Sequence, residues 1–397
     1  MSFNFEYYTP TRIIFGRETE NQVADWIKYY KGSRVLLHYG GKSAVNSGLI
    51  ARVKKFLDKA GIFHVELGGV VPNPRLSKVR TGVGLGNLNQ IDFLLAVGGG
   101  SVIDSAKAIA YALAEPNYDV WDLYEHTRKP KACLPIGVIL TIAGSGSEMS
   151  SSSVITNDDT NAKRSCGSNL CRPKFAIMDP TLTFTLPDYQ TACGCVDILM
   201  HTMERYFTNG GNMEITDSIA EGLMRTVIRN AKILVENPHN YNSRAEIMWA
   251  SSLSHNGLTG CGNDGGDFVS HSLEHELSGK FGVAHGAGLS AIWGSWARYV
   301  YKSCLPRFKK FAVVVMNVEN TGSDEEIALR GIEAVENFFR EIKMPTSLKE
   351  LGISPSDEQI EDMAYRCSKA VGGSRGSAMR IYEKDMIQIY KNANARN

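Results

Sequence analysis

Residues 91–114 read IDFLLAVGGGSVIDSAKAIAYALA, and this stretch decides the fold. Its first seven residues are apolar except for Asp92. They predict a short strand buried on both faces. Gly98-Gly99-Gly100 closes that strand, and 101–114 continues as a helix. Working outward, RVLLH at 34–38 reads as a strand ending in a Gly-Gly turn. Residues 46–60 read as a helix with Leu49, Ile50, Val53, Phe56 and Leu57 on one face. IFHVEL at 62–67 and LPIGVIL at 134–140 supply two more strands, the second followed by a Gly/Ser-rich stretch over 141–153. Strands alternating with helices predict an α/β domain built on a parallel sheet.

The pattern changes near MDPTLTFTLP at 178–187. Helical periodicity dominates from there, over 188–207, 212–235, 243–258, 266–279, 286–302, 325–341 and 378–393. No later strand is expected. The chain therefore divides into an α/β domain, 1–186, and an all-α domain, 187–397.

A chain of 397 residues is too long for one ordinary core and suits two domains. The 43 basic and 42 acidic residues nearly cancel, and no basic block stands out. Nucleic acid and anionic membranes are thereby poor partners, and small molecules the better expectation. No apolar run is long enough to span a bilayer. The start, MSFNFEYYTPTRIIFG, lacks the basic and apolar regions of a signal peptide. Eight scattered cysteines with no C-x-x-C fit a reduced, cytoplasmic protein.

The helical half carries the candidate metal ligands. Asp197 and His201 stand four apart, so on one helix they share a face and can grip one ion. His271 and His275 repeat that spacing, and His285 follows in Val-Ala-His-Gly at 283–286. Histidines with one carboxylate form an N/O donor set that suits Fe²⁺ or Zn²⁺. Any one of these histidines taken alone is more often a capped or core residue than a ligand. A zinc set drawing on Cys193 and Cys195 is a rival, with buried small cysteines as the plainer account of that pair.

The α/β half carries turns suited to a nucleotide. Gly98-Gly99-Gly100-Ser101 sits between strand and helix, where backbone N–H groups and the helix dipole attract phosphate. Ser101 with Asp104 reads as a capping box. The G-x-G-x-x-G fingerprint is absent from this turn, and a simple tight turn is the competing account. Thr141 to Glu148 follows another buried strand with hydroxyls and glycines suited to ribose and phosphate. Tyr39-Gly40-Gly41-Lys42-Ser43 follows the first strand, and Gly41 stands where a ribose-binding acid would sit. Lys42 and Ser43 there could meet a 2′-phosphate.

Together these segments resemble the iron-containing (group III) alcohol dehydrogenases, and within them the butanol-dehydrogenase-type branch that prefers NADP(H). The resemblance runs from YYTPTRIIFG through VVPNP at 70–74, GGGSVIDSAKAIA at 98–110 and LTIAGSGSE at 140–148. It continues through MDPTLTFTLP, VDILMHTMERY at 196–206 and HSLEHELSGKFGVAHG at 271–286. It implies a Rossmann-like dinucleotide-binding domain followed by an all-helical metal-binding domain, the fold shared with dehydroquinate synthase. It implies Asp197, His201, His271 and His285 as ligands of Fe²⁺ or Zn²⁺, with His275 near nicotinamide and substrate. The implied cofactor contacts are Gly41, Ser43, Asn73, Gly99, Gly100, Ser101, Asp104, Thr141, Ser145 and Lys163. Gly41 in place of an acid permits NADP(H), with NAD(H) the alternative. A homodimer is implied as well.

The expected reaction is hydride transfer between nicotinamide and a short- to medium-chain alcohol or aldehyde of the butanol/butanal kind, in a cleft between the domains. Cys261, Asp267, Phe268 and Phe281 flank the ligand segment and are expected near the substrate. Two rival reactions are a sugar-phosphate cyclase of the dehydroquinate-synthase type and a metallohydrolase. The first needs a Lys/Arg cluster beside 271–286 that the sequence lacks, and the second has no use for the glycine turn. A binding protein without catalysis is the remaining alternative.

Overall fold

A computed structural model describes residues 4–210 and 213–396. Its contacts divide the chain into two compact units, Tyr8–Leu186 and Met1–Tyr7 with Pro187–Asn397.

The first unit is α/β. In chain order it runs β1 (Arg12–Phe15), α1 (Val23–Tyr29), β2 (Arg34–Tyr39), α2 (Ser43–Asn46), α3 (Leu49–Lys59), β3 (Phe63–Leu67), α4 (Leu76–Leu88), β4 (Phe93–Gly98), α5 (Gly100–Ala114), α6 (Trp121–Tyr124), β5 (Ile136–Leu140), β6 (Ser152–Thr156), β7 (Lys163–Gly167) and β8 (Phe175–Met178). Six strands form one sheet in the order β1-β8-β5-β4-β2-β3, every pair parallel. Strands β4 and β5 are buried along their whole length, as their unbroken apolar runs require. One layer of core packs α1 and α3 against the sheet through Ile27, Val53, Leu57, Val35, Leu37, Leu95 and Phe175.

Parallel strands put all their carboxyl ends on one side. The order reverses between β2 and β4: β3 lies on one flank of β2 and β4 on the other. In open α/β sheets ligands bind outside the carboxyl ends at such a switch point. The turns 39–43 and 98–101 leave the sheet there, with the turn after β5 alongside. β6 and β7 pair as a separate antiparallel hairpin.

The second unit is helical: α7 (Asp188–Tyr206), α8 (Glu214–Glu236), α9 (Tyr241–His255), α10 (Val269–Phe281), α11 (His285–Val300), α12 (Leu305–Val314), α13 (Asp324–Glu341), α14 (Asp357–Ala370) and α15 (Glu383–Ala395). One correction to the all-α expectation is small but positioned to matter. Ser374–Arg375 and Ile381–Tyr382 pair as a two-residue antiparallel hairpin, β9 and β10. No described helix is long and apolar enough to cross a membrane.

Two buried polar groups brace the α/β unit. Lys107 is wholly inaccessible, and its ammonium donates to the carbonyls of Ser147 (2.8 Å), Ser150 (3.0 Å) and Ser152 (2.7 Å) and to the Ser147 hydroxyl (2.9 Å). It clasps the serine-rich loop to α5. His38, also fully buried on β2, joins the Leu67 carbonyl on β3 (2.8 Å) to the Ser105 hydroxyl on α5 (2.9 Å). Burial pushes its pKa down to about 4, with the Lys78 charge adding to the effect and the Leu67 bond opposing it. The folded state therefore binds the His38 proton less readily than the unfolded chain. That contribution is fully present above pH about 6.5 and is lost as pH falls toward 4, at a cost of roughly 3 kcal/mol. A His38→Gln variant should lose less stability than the parent in urea titrations taken from pH 7.5 to 4.5. Equal losses in the two proteins would refute the assignment.

Candidate functional site

Nineteen residues long, α7 is buried without a break from Ala192 through Glu204. Asp197, His201 and Glu204 fall at i, i+4 and i+7, one face of the helix. α10 brings His271 and Glu274 to that face, and α11 brings His285 as its first residue. The approach of α11 depends on glycine. A Cβ on Gly286 would lie 2.2 Å from the Cys193 carbonyl oxygen, so backbone meets backbone there. A Cβ on Gly288 would lie 2.9 Å from Cγ of Glu274 and displace it.

The four side chains converge on one point. His201 Nδ1 lies 3.4 Å, His271 Nε2 3.5 Å and His285 Nε2 3.7 Å from Asp197 Oδ1. Donor atoms of Asp197, His201 and His271 all lie within 4.8 Å of one another. These spacings exceed hydrogen bonds. They approach the ~3.4 Å expected between tetrahedral donors each about 2.1 Å from an ion. Asp197 Oδ1, His201 Nδ1 and His271 Nε2 are buried and have no hydrogen-bond partner. Three orphaned atoms facing one another in a protein interior are costly unless something binds them. A divalent cation fits this donor set.

Behind the convergent atoms stand two fully buried glutamates. Glu204 accepts from Nδ1 of His271 and from the His271 backbone N–H (3.2 Å). Glu274 accepts from Nδ1 of His285 and from the Ser278 hydroxyl. Each fixes the ring so that its other nitrogen points inward, the arrangement that orients and strengthens metal-ligating histidines. Arg205 donates to the carbonyls of His201 (2.7 Å) and Ser254 (3.1 Å), and the His255 ring lies 4.0 Å from the His201 ring. Burial, then the charges of His255, His271 and Arg205, hold His201 well below the usual histidine range, in the neutral form a ligand needs. For His271 burial acts downward, but Glu204 and Asp197 outweigh it and lift the ring to about 9. A cation arriving there displaces a proton from this nitrogen.

The thiol alternative lacks the geometry. Cys193 Sγ lies 3.8 Å from Met344 Sδ, and neither Cys193 nor Cys195 belongs to the donor group of Asp197, His201 and His271. Burial pushes both thiols up to about 12. His275, one turn beyond His271, is half-buried with its ring 5.9 Å from that of His285, outside the convergent set. Asp267 is fully buried and occupied by backbone donors of Val269, Ser377 and Ala378. Phe268 packs its ring 5.7 Å from His271.

In the α/β unit Gly41, Ser43, Gly99, Gly100, Ser101, Thr141 and Ser145 all lie at the carboxyl side of β2, β4 and β5. Thr141 N–H bonds the Gly98 carbonyl (3.0 Å), tying two of the turns together. α5 begins at Gly100 with Gly99 as its N-cap and no side-chain cap, which leaves its first N–H groups open. Ser101 is therefore inside the first turn, and the expected Ser101–Asp104 capping box does not form. Asp104 turns instead to the Ser147 hydroxyl (2.5 Å) and the Val154 N–H (2.9 Å), a bracing role. The glycines answer first to the protein itself, since a Cβ on Gly100 would lie 2.2 Å from the Ser145 hydroxyl oxygen. Asn73 adopts a left-handed φ of 55°. Its neighbour Pro74 accepts from Thr156 N–H (2.8 Å), and Thr156 is paired with Lys163, so the hairpin carries Lys163 to the Asn73 turn.

This fold and this site define a class. Residues 10–180 match the family model described as iron-containing alcohol dehydrogenase, and residues 191–394 match the model for that family's C-terminal region. The chain belongs to the iron-containing alcohol dehydrogenase family. It is 41% identical to the probable NADH-dependent butanol dehydrogenase 1 of Bacillus subtilis over 98% of this chain and 99% of that one. It is 36% identical to the NADPH-dependent aldehyde reductase YqhD of Escherichia coli, over 89% and 90%. The crystal structure of NADH-dependent butanol dehydrogenase A from Thermotoga maritima superposes with a TM-score of 0.94 at 38% identity, covering 99% of both chains.

Sequence spacing singled out neither glutamate, although both carry a signal: Glu204 continues the Asp197–His201 face, and Glu274 follows His271 by three. Replacing either carboxylate by its amide should weaken retention of Fe²⁺ or Zn²⁺ by about ten- to hundredfold. Competition of Glu204→Gln and Glu274→Gln proteins against a chelator measures this. Unchanged affinity in both would remove the glutamates from the site.

Proposed function

We propose that this chain is a metal-dependent aldehyde reductase and alcohol dehydrogenase, exchanging hydride between a nicotinamide cofactor and a short- to medium-chain substrate of the butanal kind. The observation that carries this reading is the convergence of three buried, unpartnered donor atoms with His285 on one point. Asp197, His201, His271 and His285 would hold the ion. When bound, a divalent cation polarises a carbonyl oxygen and stabilises the charge that develops there. Glu204 and Glu274 keep the His271 and His285 rings aimed at that point. The apolar surroundings of α7 exclude water and strengthen each of these interactions. The donor set contains nitrogen and oxygen only, which Fe²⁺ and Zn²⁺ both accept. We favour Fe²⁺, following the family.

The turns after β2, β4 and β5 supply the cofactor contacts in this reading. The open N–H groups at the start of α5 take a phosphate, with Gly99, Gly100, Ser101 and Ser145 closing around it. Thr141, Asn73 and Lys163 lie along the same edge. Asp104 acts through Ser147 and Val154 rather than on the cofactor. Gly41 presents no acid to a 2′-phosphate, and nothing lies within 4 Å of a Cβ built there, so NADP(H) is accepted alongside NAD(H). The eight cysteines form no disulfide among the described residues, which suits a reducing, cytoplasmic setting, and a homodimer is the assembly the family implies.

Oxidation of NADPH and NADH followed at 340 nm with butanal, after reconstitution with Fe²⁺ or Zn²⁺, tests the activity. Turnover that depends on the metal and is lost together with the metal in Asp197→Ala is the expected result. Full activity of the Asp197→Ala protein would sink the ligand assignment. His275, one turn from His271, is assigned to proton relay at the substrate oxygen. His275→Ala should lower kcat and remove a limb of its pH profile, whereas an unchanged profile limits His275 to shaping the pocket.

A further inference from the structure

The hairpin β9–β10 is fastened to the start of the helix that carries His271. Asp267 Oδ2 accepts from the backbone N–H groups of Ser377 (2.8 Å) and Ala378 (3.0 Å). Asn209 donates to the Ala378 carbonyl (2.7 Å), and the Ser377 hydroxyl bonds Asp264. This anchoring fixes Arg375, the last residue of β9. Its guanidinium carbon lies 5.6 Å from the centre of the Phe268 ring. Phe268 is itself held in a left-handed conformation, φ 53°, as the N-cap of α10, and its ring lies 5.7 Å from the His271 ring. Non-glycine residues keep such a conformation only where their surroundings over-determine it.

Four arginines of this unit are engaged by carbonyls or carboxylates. Arg205 is committed to two carbonyls, Arg307 to Asp217, Arg298 to Glu336 and Arg366 to Glu276. Arg375 pairs with no carboxylate among the described residues, and its Nε is buried without a hydrogen-bond partner. An aromatic face offers the cation some compensation but satisfies none of its N–H groups. A planar guanidinium whose Nε is unpartnered, with the Phe268 ring between it and His271, matches the geometry of a carboxylate.

We propose that Arg375 is a specificity-determining residue that receives the anionic end of the substrate, so that the preferred substrate is a short aldehyde carrying a carboxylate at its far end. This rests on the aldehyde-reductase reading above and narrows it. The aldehyde end lies at the Asp197–His271 cluster, and Phe268 forms the wall between the two ends. A neutral alkanal of the same length leaves the guanidinium unpaired and forgoes a charge-assisted pair.

The test compares 4-oxobutanoate with butanal, which share a four-carbon chain, in the metal-reconstituted enzyme and in Arg375→Met and Arg375→Lys. The parent should favour 4-oxobutanoate. Arg375→Met should lower the ratio of its kcat/KM to that of butanal by about ten- to hundredfold, chiefly through KM. Arg375→Lys should fall between, because an ammonium restores charge without the bidentate fork. Calorimetric titration of 4-hydroxybutanoate into the same three proteins gives a readout independent of turnover and should weaken in the same order. A parent enzyme that favours butanal, or a ratio unmoved by Arg375→Met, overturns the proposal while leaving the reductase reading intact. Absence of turnover with either aldehyde, alongside Arg375-dependent binding of 4-hydroxybutanoate, would overturn the reductase reading and keep the anion site.

Discussion

The helical unit is organised around buried negative charge. Asp197, Glu204 and Glu274 lie in a bundle interior where an isolated carboxylate is very costly, and the two glutamates have no accessible surface at all. Each glutamate is held by the Nδ1 of a histidine, and the far nitrogens of those histidines, with Asp197 and His201, end on one point. A divalent cation there, with the Arg205 guanidinium alongside, offsets three carboxylate charges. Helix register follows from that requirement. α7 must present positions 197, 201 and 204 together, α10 must present 271 and 274, and α11 must begin close enough to α7 that only glycine fits at 286.

The α/β unit obeys a different constraint. A parallel sheet gathers its strand ends, so the turns after β2, β4 and β5 become neighbours although some hundred residues separate the first from the last. Their mutual packing is tight enough that Gly100 has no room for a methyl group beside Ser145. The serine-rich loop that follows has little apolar surface with which to hold itself in place. Lys107 supplies the anchor, reaching three carbonyls from a fully buried position, with Asp104 bridging Ser147 to Val154. A buried ammonium with so many acceptors is tolerable because its N–H groups are all engaged.

Much of this was legible in the sequence wherever one physical signal dominated. The strand at 93–98 and the helix after it followed from a continuous apolar run, a glycine turn and helical periodicity. The 197/201 spacing followed from helix geometry. Elements with weaker signals escaped. β1 and β8 are four residues each, too short for a period to register, and α4 carries glycines at 82, 84 and 86 that dilute its helical pattern. Strands β9 and β10 exist because Asp267 holds their turn, a contact about 110 residues away that no local pattern encodes. Asp104 reads locally as part of a cap, and no local pattern marks Lys107. Their real partners lie some 40 to 50 residues on, in a loop whose path no periodicity records.

The candidate ligand set shows why spacing alone could not choose among the histidines. His275 has the same i+4 relation to His271 that His201 has to Asp197, yet α10 turns His271 inward to Glu204 and leaves His275 half-buried. Two of the candidate rings have a carboxylate behind them. Glu204 stands behind His271 and Glu274 behind His285, and a histidine so held presents one defined nitrogen forward. Glu274 is next to His275 in sequence but faces His285 across the α10–α11 turn, because side chains at adjacent helix positions point in different directions. For His271 and His285 the partner at the rear says more than the neighbours along the chain, whereas His201 is marked by its place on the Asp197 face.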